Sequence, residues 1–270
     1  MRTILVILIF LLSQVPVAAQ QIEISTTFGS GADAMIRAGS NSNNNFGDVI
    51  GIAVKDEGPF SPVTRKSYFR FDLSELPASV TNAEIVLSVT TPDDPCSPTT
   101  PHVINVFGLS DLASSELWNE DLISWSNAPG NDTNSGNGVT AAATPLGSFA
   151  NQCQFLIQGA QISFSSSALA DFINSDTNDV VTIIFTDGSQ ISSSIGYATK
   201  ENQKQHAPLL RLTLDVVLGD VNLDGSVDLL DVAAFIDRIQ SGTYQIEADV
   251  NLDGEVDLLD VDPFVDLLDM

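Results

Sequence analysis

The chain has 270 residues, and its 35 Asp and Glu against ten Lys and Arg give it a net charge of −25 at pH 7. This excess of negative charge argues against nucleic acid or an anionic membrane as a partner, since both would repel the protein. The length allows one large β domain and one small unit. From residue 218 onward there are 14 acids and one base, Arg238, so the C-terminal part is predicted to be a separate unit that needs cations.

The first residues have the layout of a secretory signal. Arg2 supplies a positive start, Ile4–Leu12 an apolar run and Val17-Ala18-Ala19 a small-residue cleavage site. The run is too short for a bilayer, which takes roughly 20 apolar residues to cross. We therefore expect residues 1–19 to be a signal peptide and the mature chain to be secreted, to the extracellular space or the cell surface. The alternative is an uncleaved anchor.

The chain contains two cysteines, Cys96 and Cys153. Neither has the CxxC spacing or the Cys/His neighbours of a redox or zinc site. In an oxidising compartment they are expected to form one structural disulfide, and two free thiols are the alternative.

Residues 20–216 have the pattern of short strands separated by polar turns. The strands are rich in β-branched and aromatic residues, and loops such as Gly39–Gly47 and Pro129–Gly138 are rich in Gly and Asn. About ten strands of this kind predict a mainly β fold, an antiparallel jelly-roll β-sandwich. One helical turn is predicted at Ser167–Ile173. The clearest strand candidates are Ser67–Phe71, Ile85–Val89, Val180–Phe185 and the alternating Leu210, Leu212, Leu214 and Val216.

Four segments of this region carry a resemblance to a known family. In order they are ADAMIRAGSNSNNNFG, RKSYFRFDLSELPASVTNAEIVLSV, LWNEDLISWSNAPG and ATKENQKQHAPLLRLTL. They resemble the DNRLRE-domain family, secreted β-sandwiches grouped with carbohydrate-binding module family 96, over residues 22–216. The resemblance implies a non-catalytic module; some members are attached to polysaccharide lyases and bind acidic glycans such as alginate. The chain departs from the pattern at two insertions, Thr91–Pro101 and Asn131–Thr144, and the first carries Cys96, so its disulfide is expected to be particular to a subgroup.

An acidic glycan needs cations on the protein surface. Arg65, Lys66 and Arg70 lie close together in sequence, with Lys66 and Arg70 on one strand face and Arg65 on the other, and they form the candidate glycan site. Ordinary solvent-facing strand positions are the alternative. Neutral sugars stack on aromatic rings, for which Trp118 and Trp125 are candidates, although core packing is the favoured interpretation of both.

A few other polar residues invite a functional interpretation. His102 and His206 have no plausible metal or triad partner in sequence and are expected at the surface or in loops. Asp33, Asp48 and Asp72 leave open a calcium ion held by the sandwich itself.

Two acidic segments near the C-terminus repeat each other at a spacing of 29 residues. We call residues 220–231 loop 1 and residues 249–260 loop 2. A calcium loop has oxygen ligands at positions 1, 3, 5, 7, 9 and 12 and glycine at position 6, where the loops have Gly225 and Gly254. Oxygen ligands in this number suit Ca²⁺ better than Mg²⁺, so two Ca²⁺ ions are expected. The predicted ligands are Asp220, Asn222, Asp224, Ser226 (through its carbonyl), Asp228 and Asp231 in loop 1, and Asp249, Asn251, Asp253, Glu255 (carbonyl), Asp257 and Asp260 in loop 2.

Each loop is followed by apolar residues at helical spacing, and loop 1 is preceded by a strand pattern rather than a helix. Loop then helix, twice, resembles the type I dockerin repeat over residues 219–270, and both loops end in Asp as dockerins do. We therefore expect residues 217–270 to be a small α dockerin-like, EF-hand-like domain. Four like charges in each empty loop predict that its folding requires metal. The alternative is a plain acidic surface. The helical residues are Val232, Phe235, Ile236 and Ile239, then Val261, Phe264, Val265 and Leu268.

The dockerin resemblance implies docking to a cohesin-like or other extracellular protein. Cohesin-binding dockerins often carry Ser or Thr at loop positions 10 and 11 and Lys or Arg at positions 17 and 18. This chain has Leu229-Leu230 and Leu258-Leu259 at the former, and Ile236-Asp237 and Val265-Asp266 at the latter. The leucines could instead meet a different receptor or the main domain of the same chain, and the alternative role for the tail is a structural C-terminal cap.

The chain is not expected to be an enzyme. Glu116 with Glu120 or Asp121 could supply the carboxylate pair of a glycoside hydrolase, but carboxylates are abundant in any acidic chain. The candidate bases of a polysaccharide lyase are scattered in sequence: Tyr68, Tyr197 and His206.

Together these patterns predict a secreted, non-catalytic protein of polysaccharide catabolism that binds a polysaccharide through its β-sandwich and docks through a Ca²⁺-dependent tail. The alternative is an extracellular structural or cell-surface interaction protein with a Ca²⁺-stabilised cap and no glycan binding. Neither nucleic acid nor a membrane span in the mature chain is expected.

Overall fold

The computed structural model describes residues 20–93, 101–111, 116–151, 157–189 and 194–268. One compact unit spans Gln21–Leu214, and a second contains the residues from Asp215 onward. The sequence places this boundary two residues further on, after residue 216. The predicted signal peptide and both cysteines lie outside the described residues, so the signal and the disulfide between Cys96 and Cys153 stay predictions.

The first unit is an antiparallel β-sandwich, and the predicted mainly β fold class is confirmed. One sheet has the strand order β1-β11-β5-β10-β3, with β8 also paired to β5, and the other has the order β2-β4-β9-β6-β7. The strands are β1 (Gln21–Ser25), β2 (Ala32–Arg37), β3 (Gly51–Ala53), β4 (Arg65–Asp72), β5 (Val80–Asp93), β6 (His102–Leu109), β7 (Ala143–Asn151), β8 (Gln161–Ser165), β9 (Val180–Asp187), β10 (Ser194–Ala198) and β11 (Leu209–Leu214).

Burial of the strands follows their sequence pattern. β11 alternates buried and half-buried residues, as expected of a strand with one face on the core. β9 is buried along its whole length, which suits its run of apolar residues and its place between β4 and β6. Phe69 of β4 packs edge-on against Phe185 of β9, with ring centroids 4.9 Å apart. Burying a side chain of this size contributes about 1.5–3 kcal/mol to stability. The contact between the two rings therefore stabilises the core.

A short helix, α1 (Ser167–Asn174), covers part of the sandwich, where a helical turn is predicted. Ser166 caps its N-terminus, because the serine hydroxyl accepts a hydrogen bond from the backbone N–H of Leu169 at 3.0 Å. Leu169, Ala170 and Ile173 form its buried face, at the spacing expected of an amphipathic helix.

The second unit contains two helices, α2 (Asp231–Ser241) and α3 (Val261–Leu268), one after each acidic loop. Its core is small, and its central contact is a stacked pair, Phe235 and Phe264, with ring centroids 4.0 Å apart. Gly242 ends α2 in the left-handed region at φ 64°, and its N–H bonds to the carbonyl of Arg238. In neither unit does a described helix have the length and apolar character needed to cross a bilayer. The buried core residues are Val221, Phe235, Ala248, Val256 and Phe264.

Candidate functional site

Loop 1 is folded around its first and last carboxylates, which are both buried. Asp220 accepts hydrogen bonds from the backbone N–H groups of Asp224 at 3.0 Å and Gly225 at 2.8 Å. Asp231 accepts from the N–H groups of Asn222 and Asp228, both at 2.9 Å. The two ends of the loop are therefore tied to its middle by carboxylates that belong to the predicted ligand set.

Loop 2 repeats this network 29 residues later. Asp249 accepts from the N–H groups of Asp253 and Gly254 at 3.1 and 3.0 Å, and Asp260 accepts from those of Asn251 and Asp257 at 3.0 and 2.9 Å. Both loop glycines have φ +91°, and a Cβ at either would meet nothing within 4 Å. Glycine is needed at these positions for the backbone conformation and not for space.

The donor set of the loops fits calcium. Each loop offers four carboxylates, a side-chain amide and a backbone carbonyl, which are hard oxygen ligands. A carboxylate that accepts backbone bonds keeps further lone pairs for a metal. The one base of the region, Arg238, donates to Gln245 Oε1 at 2.6 Å and so is directed to a neutral amide. The carboxylates are not balanced by side-chain cations, and metal ions would balance them.

Each loop has a pair of exposed leucines at its positions 10 and 11. Leu229 and Leu230 are 78% and 69% exposed, and Leu258 and Leu259 are 76% and 66% exposed. In each pair two large apolar side chains are adjacent in sequence and exposed to solvent, and exposed apolar patches can mark interaction sites. We call these four residues the leucine face.

The sandwich contains a cleft of about 580 Å³ beside β3 and β10. Gly51, Ala53 and Gly196 of these strands line the cleft and add little side-chain volume, and Met35, Ile50 and Ile52 supply larger apolar side chains beside them. Its lining is part apolar and part polar, and the polar part contains two cations and one acid. The polar lining residues include Arg65, Thr90, Gln158, Glu201, Asn202 and Lys204.

Comparison with known proteins assigns both units. The sequence model of carbohydrate-binding module family 96 matches residues 24–146, and that of the type I dockerin domain matches residues 218–263. The chain joins a family 96 carbohydrate-binding module to a type I dockerin domain. Type I dockerin domains bind calcium, and both kinds of module are non-catalytic and typical of extracellular proteins.

Other comparisons add little. No curated protein matches the chain significantly. Among solved structures, a latent aurone synthase (polyphenol oxidase) from natural source is 12% identical over 60% of this chain and 25% of that chain, with a TM-score of 0.26. The Agl-KA catalytic domain is 12% identical over 85% of this chain and 36% of that chain, with a TM-score of 0.28. The chain spans well under half the length of either structure.

The candidate glycan site of Arg65, Lys66 and Arg70 is wrong, because the three side chains do not form a cationic strip on the surface. Lys66 is fully buried, and its ammonium donates to Asn131 Oδ1 at 2.7 Å and to backbone carbonyls of the loop that follows. Arg70 is half-buried and donates to the carbonyls of Ser30 and Trp118. Arg65 alone of the three lines the cleft.

The two tryptophans belong to the core of the module, as favoured from the sequence. Trp118 packs edge-on against Tyr68 at 6.1 Å and donates to Thr182 Oγ1 at 3.2 Å. The ring of Trp125 lies under the Lys66 ammonium, which is 4.5 Å from its centroid. Neither ring is placed to stack on a sugar, because both side chains are buried.

The expected surface position is wrong for one histidine. His206 is exposed, but His102 is fully buried in β6, with Nε2 3.8 Å from Asp187 Oδ1. Burial lowers the pKa of His102, although the charge of Asp187 opposes that shift. The strand alternation of β6 accounts for the position, since every second residue from His102 onward faces the core.

The carboxylates and phenols considered for catalysis have structural contacts. Glu116 is buried and accepts hydrogen bonds from Asn178 Nδ2 at 3.0 Å and the Thr182 N–H at 3.2 Å, and burial raises its pKa. Tyr68 and Tyr197 are fully buried. These side chains support the loop and strands around them.

A third acidic cluster lies in the sandwich, and of its three residues the sequence indicates only Asp33. Asp33, Glu120 and Glu201 each offer a carboxylate oxygen, and these oxygens lie within 4.8 Å of one another. Burial raises the pKa of Asp33 to about 7. Asp48 and Asp72, the other two residues that the sequence offers for a calcium ion in the sandwich, are not members of the cluster. The three residues are far apart in the chain, so no short sequence motif predicts the cluster.

Proposed function

We propose that this protein is a secreted, non-catalytic adaptor that holds an acidic polysaccharide in the cleft of its module and attaches it to an extracellular protein partner through its dockerin domain. The observation that carries the proposal is a cleft lined by two cations and several amide side chains, in a sandwich that matches carbohydrate-binding module family 96. A polysaccharide held in this way would be presented to enzymes of its breakdown.

An acidic glycan is favoured over a neutral one by what lines the cleft. The chain as a whole is negative, but in the cleft Arg65 and Lys204 supply two positive charges against the one negative charge of Glu201. Amide side chains such as Gln158 and Asn202 supply hydrogen bonds to hydroxyl groups. Guanidinium and ammonium groups bind carboxylates by charge-assisted hydrogen bonds. Neutral sugars would instead be expected to stack on exposed aromatic rings, and the described lining of the cleft includes none.

Neutralising the cations of the cleft is expected to weaken glycan binding. In affinity electrophoresis of the full chain through gels with alginate, polygalacturonate or a neutral glucan, the wild type should be slowed by an acidic polymer. Arg65→Gln and Lys204→Gln should each weaken that binding about tenfold, because each removes one charge-assisted contact. Arg211→Gln, the same charge change on β11 away from the cleft, is the control.

Two results would count against the cleft. Equal retention of the cleft variants and the Arg211→Gln control would place binding elsewhere. A wild-type chain that no polysaccharide retains would favour an extracellular interaction protein with a calcium-stabilised cap.

We further propose that the dockerin domain holds two Ca²⁺ ions through the predicted ligands of loops 1 and 2, and that the leucine face is its docking surface. The same two positions of both loops carry exposed leucines, so the repeat presents one apolar pattern twice. Because these positions are apolar instead of Ser or Thr, the partner surface is expected to be apolar too. A cohesin-type domain with an apolar contact patch is the partner that fits.

Replacing the leucine face is expected to remove docking without unfolding the domain. The variant with serine at all four positions should lose at least about tenfold in affinity for cohesin domains presented on a sensor surface, because burying one leucine side chain contributes about 1.5–3 kcal/mol. Leu122→Ser, at a leucine of the sandwich that is 67% exposed, is the matched control. Calcium removal should abolish binding of the wild type. Unchanged binding of the quadruple variant would move the docking surface to another part of the domain.

A further inference from the structure

The cluster of Asp33, Glu120 and Glu201 brings together three distant parts of the sandwich. Asp33 lies in β2, Glu120 in the loop before β7, and Glu201 directly after β10. A hydrogen bond from the backbone N–H of Asp33 to Glu120 Oε1, 2.8 Å long, joins the first two. Lys200 pairs through its ammonium with Glu120 Oε2 and donates its backbone N–H to Asp33 Oδ2 at 3.1 Å. The cluster is therefore built into the fold and is not a chance meeting of surface acids.

Two oxygens of this cluster are buried and have no hydrogen-bond donor among the described residues. They are Asp33 Oδ1 and Glu201 Oε2. Asp33 is fully buried, and its other oxygen already accepts from Thr26 Oγ1 at 2.7 Å. A buried carboxylate oxygen without a donor is costly and calls for a ligand.

The charge of the cluster points to the kind of ligand. When all three carboxylates are ionised, the cluster and the Lys200 ammonium together carry two negative charges, which one divalent cation would balance. The ligand atoms on offer are carboxylate oxygens, and the cluster contains neither the His nor the Cys that zinc and other transition metals favour. Hard oxygen ligands, part of them provided by water, suit Ca²⁺.

We propose that the sandwich binds a Ca²⁺ ion of its own between Asp33, Glu120 and Glu201. This ion is separate from those of the dockerin domain. It would tie the segment after β10 to β2 and to the loop that carries Glu120. The same segment supplies Glu201, Asn202 and Lys204 to the cleft, so the ion would fix one cleft wall and neutralise the acid in it. This last consequence, unlike the ion site, rests on the proposed glycan function.

The test counts calcium ions bound to the full chain. After stripping with chelator and dialysis against calcium, metal analysis of the wild type should find about three ions per chain, one more than loops 1 and 2 account for. A chain with Asp220→Ala and Asp249→Ala should still retain about one ion. Glu201→Gln should lower the wild-type count by about one, and Glu75→Gln, at an exposed acid outside the cluster, should not change it.

A variant that misfolds would also lose the ion, so the fold of each variant is measured together with its ion count. Glu201 is half-buried, so Glu201→Gln is expected to keep the far-ultraviolet circular dichroism of the wild type, and Asp33→Asn serves as a second variant that keeps the side-chain shape. An unchanged ion count in both variants would overturn the proposal. Glycan retention is measured separately: the ion count can stand while no polysaccharide binds, and that result would reject the glycan function alone.

Discussion

Removing calcium from the full chain is expected to unfold the dockerin domain and leave the sandwich folded. Each loop concentrates four ligand carboxylates, and the apolar core of the domain is limited to a few side chains around the stacked Phe235 and Phe264. Small domains with such cores generally need a metal or disulfide to be stable. A ligand present at 1,000 times its dissociation constant stabilises the folded state by about 4 kcal/mol per site. Two filled loops would therefore supply a large part of the stability of this domain.

The measurement is thermal unfolding followed by circular dichroism, with calcium and with chelator. With calcium, the chain should show the transition of the sandwich and that of the dockerin domain. With chelator, the second should disappear, together with the helical signal of α2 and α3. Asp220→Ala combined with Asp249→Ala should reproduce the effect of the chelator, because it removes a buried carboxylate from each loop.

The matched control is Asp237→Ala, which removes the same charge from an exposed position of α2 outside the loops. It should keep the calcium-dependent transition within about 0.5 kcal/mol of wild type, as surface substitutions usually do. If the helical signal is the same with and without calcium, folding of the domain does not depend on its loops, and calcium-dependent docking would lose its basis.

The conformation of loops 1 and 2 could be predicted from sequence because its information is local. Each loop places its predicted ligands within twelve consecutive residues, and one glycine sets the turn. The strands β4, β5, β9 and β11 and the helix α1 were predicted for a similar reason, because hydrophobic periodicity is a short-range signal.

The cleft and the cluster of Asp33, Glu120 and Glu201 depend on which strands become neighbours. Asp33 and Glu120 are 87 residues apart, yet they share a hydrogen bond. The order of the strands in the two sheets decides which distant residues meet, whereas hydrophobic periodicity predicts only that the strands exist. The surface position predicted for Lys66 is wrong for another reason. Lysine is almost never fully buried, so a lysine in an alternating strand indicates a solvent-facing position.

Replacing Lys66 by Met is expected to destabilise the sandwich more than any substitution of an exposed lysine. The Lys66 ammonium lies in a cage of acceptors and over an aromatic ring. It donates to Asn131 Oδ1 at 2.7 Å and to the carbonyls of Ser135 and Gly138 at 3.1 and 2.5 Å, and it lies 4.5 Å from the centroid of the Trp125 ring. Met fills a similar volume but leaves these acceptors without a donor in a buried site. We expect a loss of about 2–4 kcal/mol in the free energy of unfolding.

The loss should appear as a lower midpoint of the sandwich transition, by roughly 2–4 °C for each kcal/mol. Lys204→Met makes the same chemical change at an exposed position and should shift the midpoint little, since surface substitutions usually stay within about 0.5 kcal/mol. Trp125 gives a second readout, because its fluorescence should change once the ammonium above its ring is removed. Equal midpoints for the two variants would mean that the loop after Asn131 is held by other contacts. Its buried bond from Asn131 Nδ2 to the Trp125 carbonyl, at 2.7 Å, would then be the anchor to test.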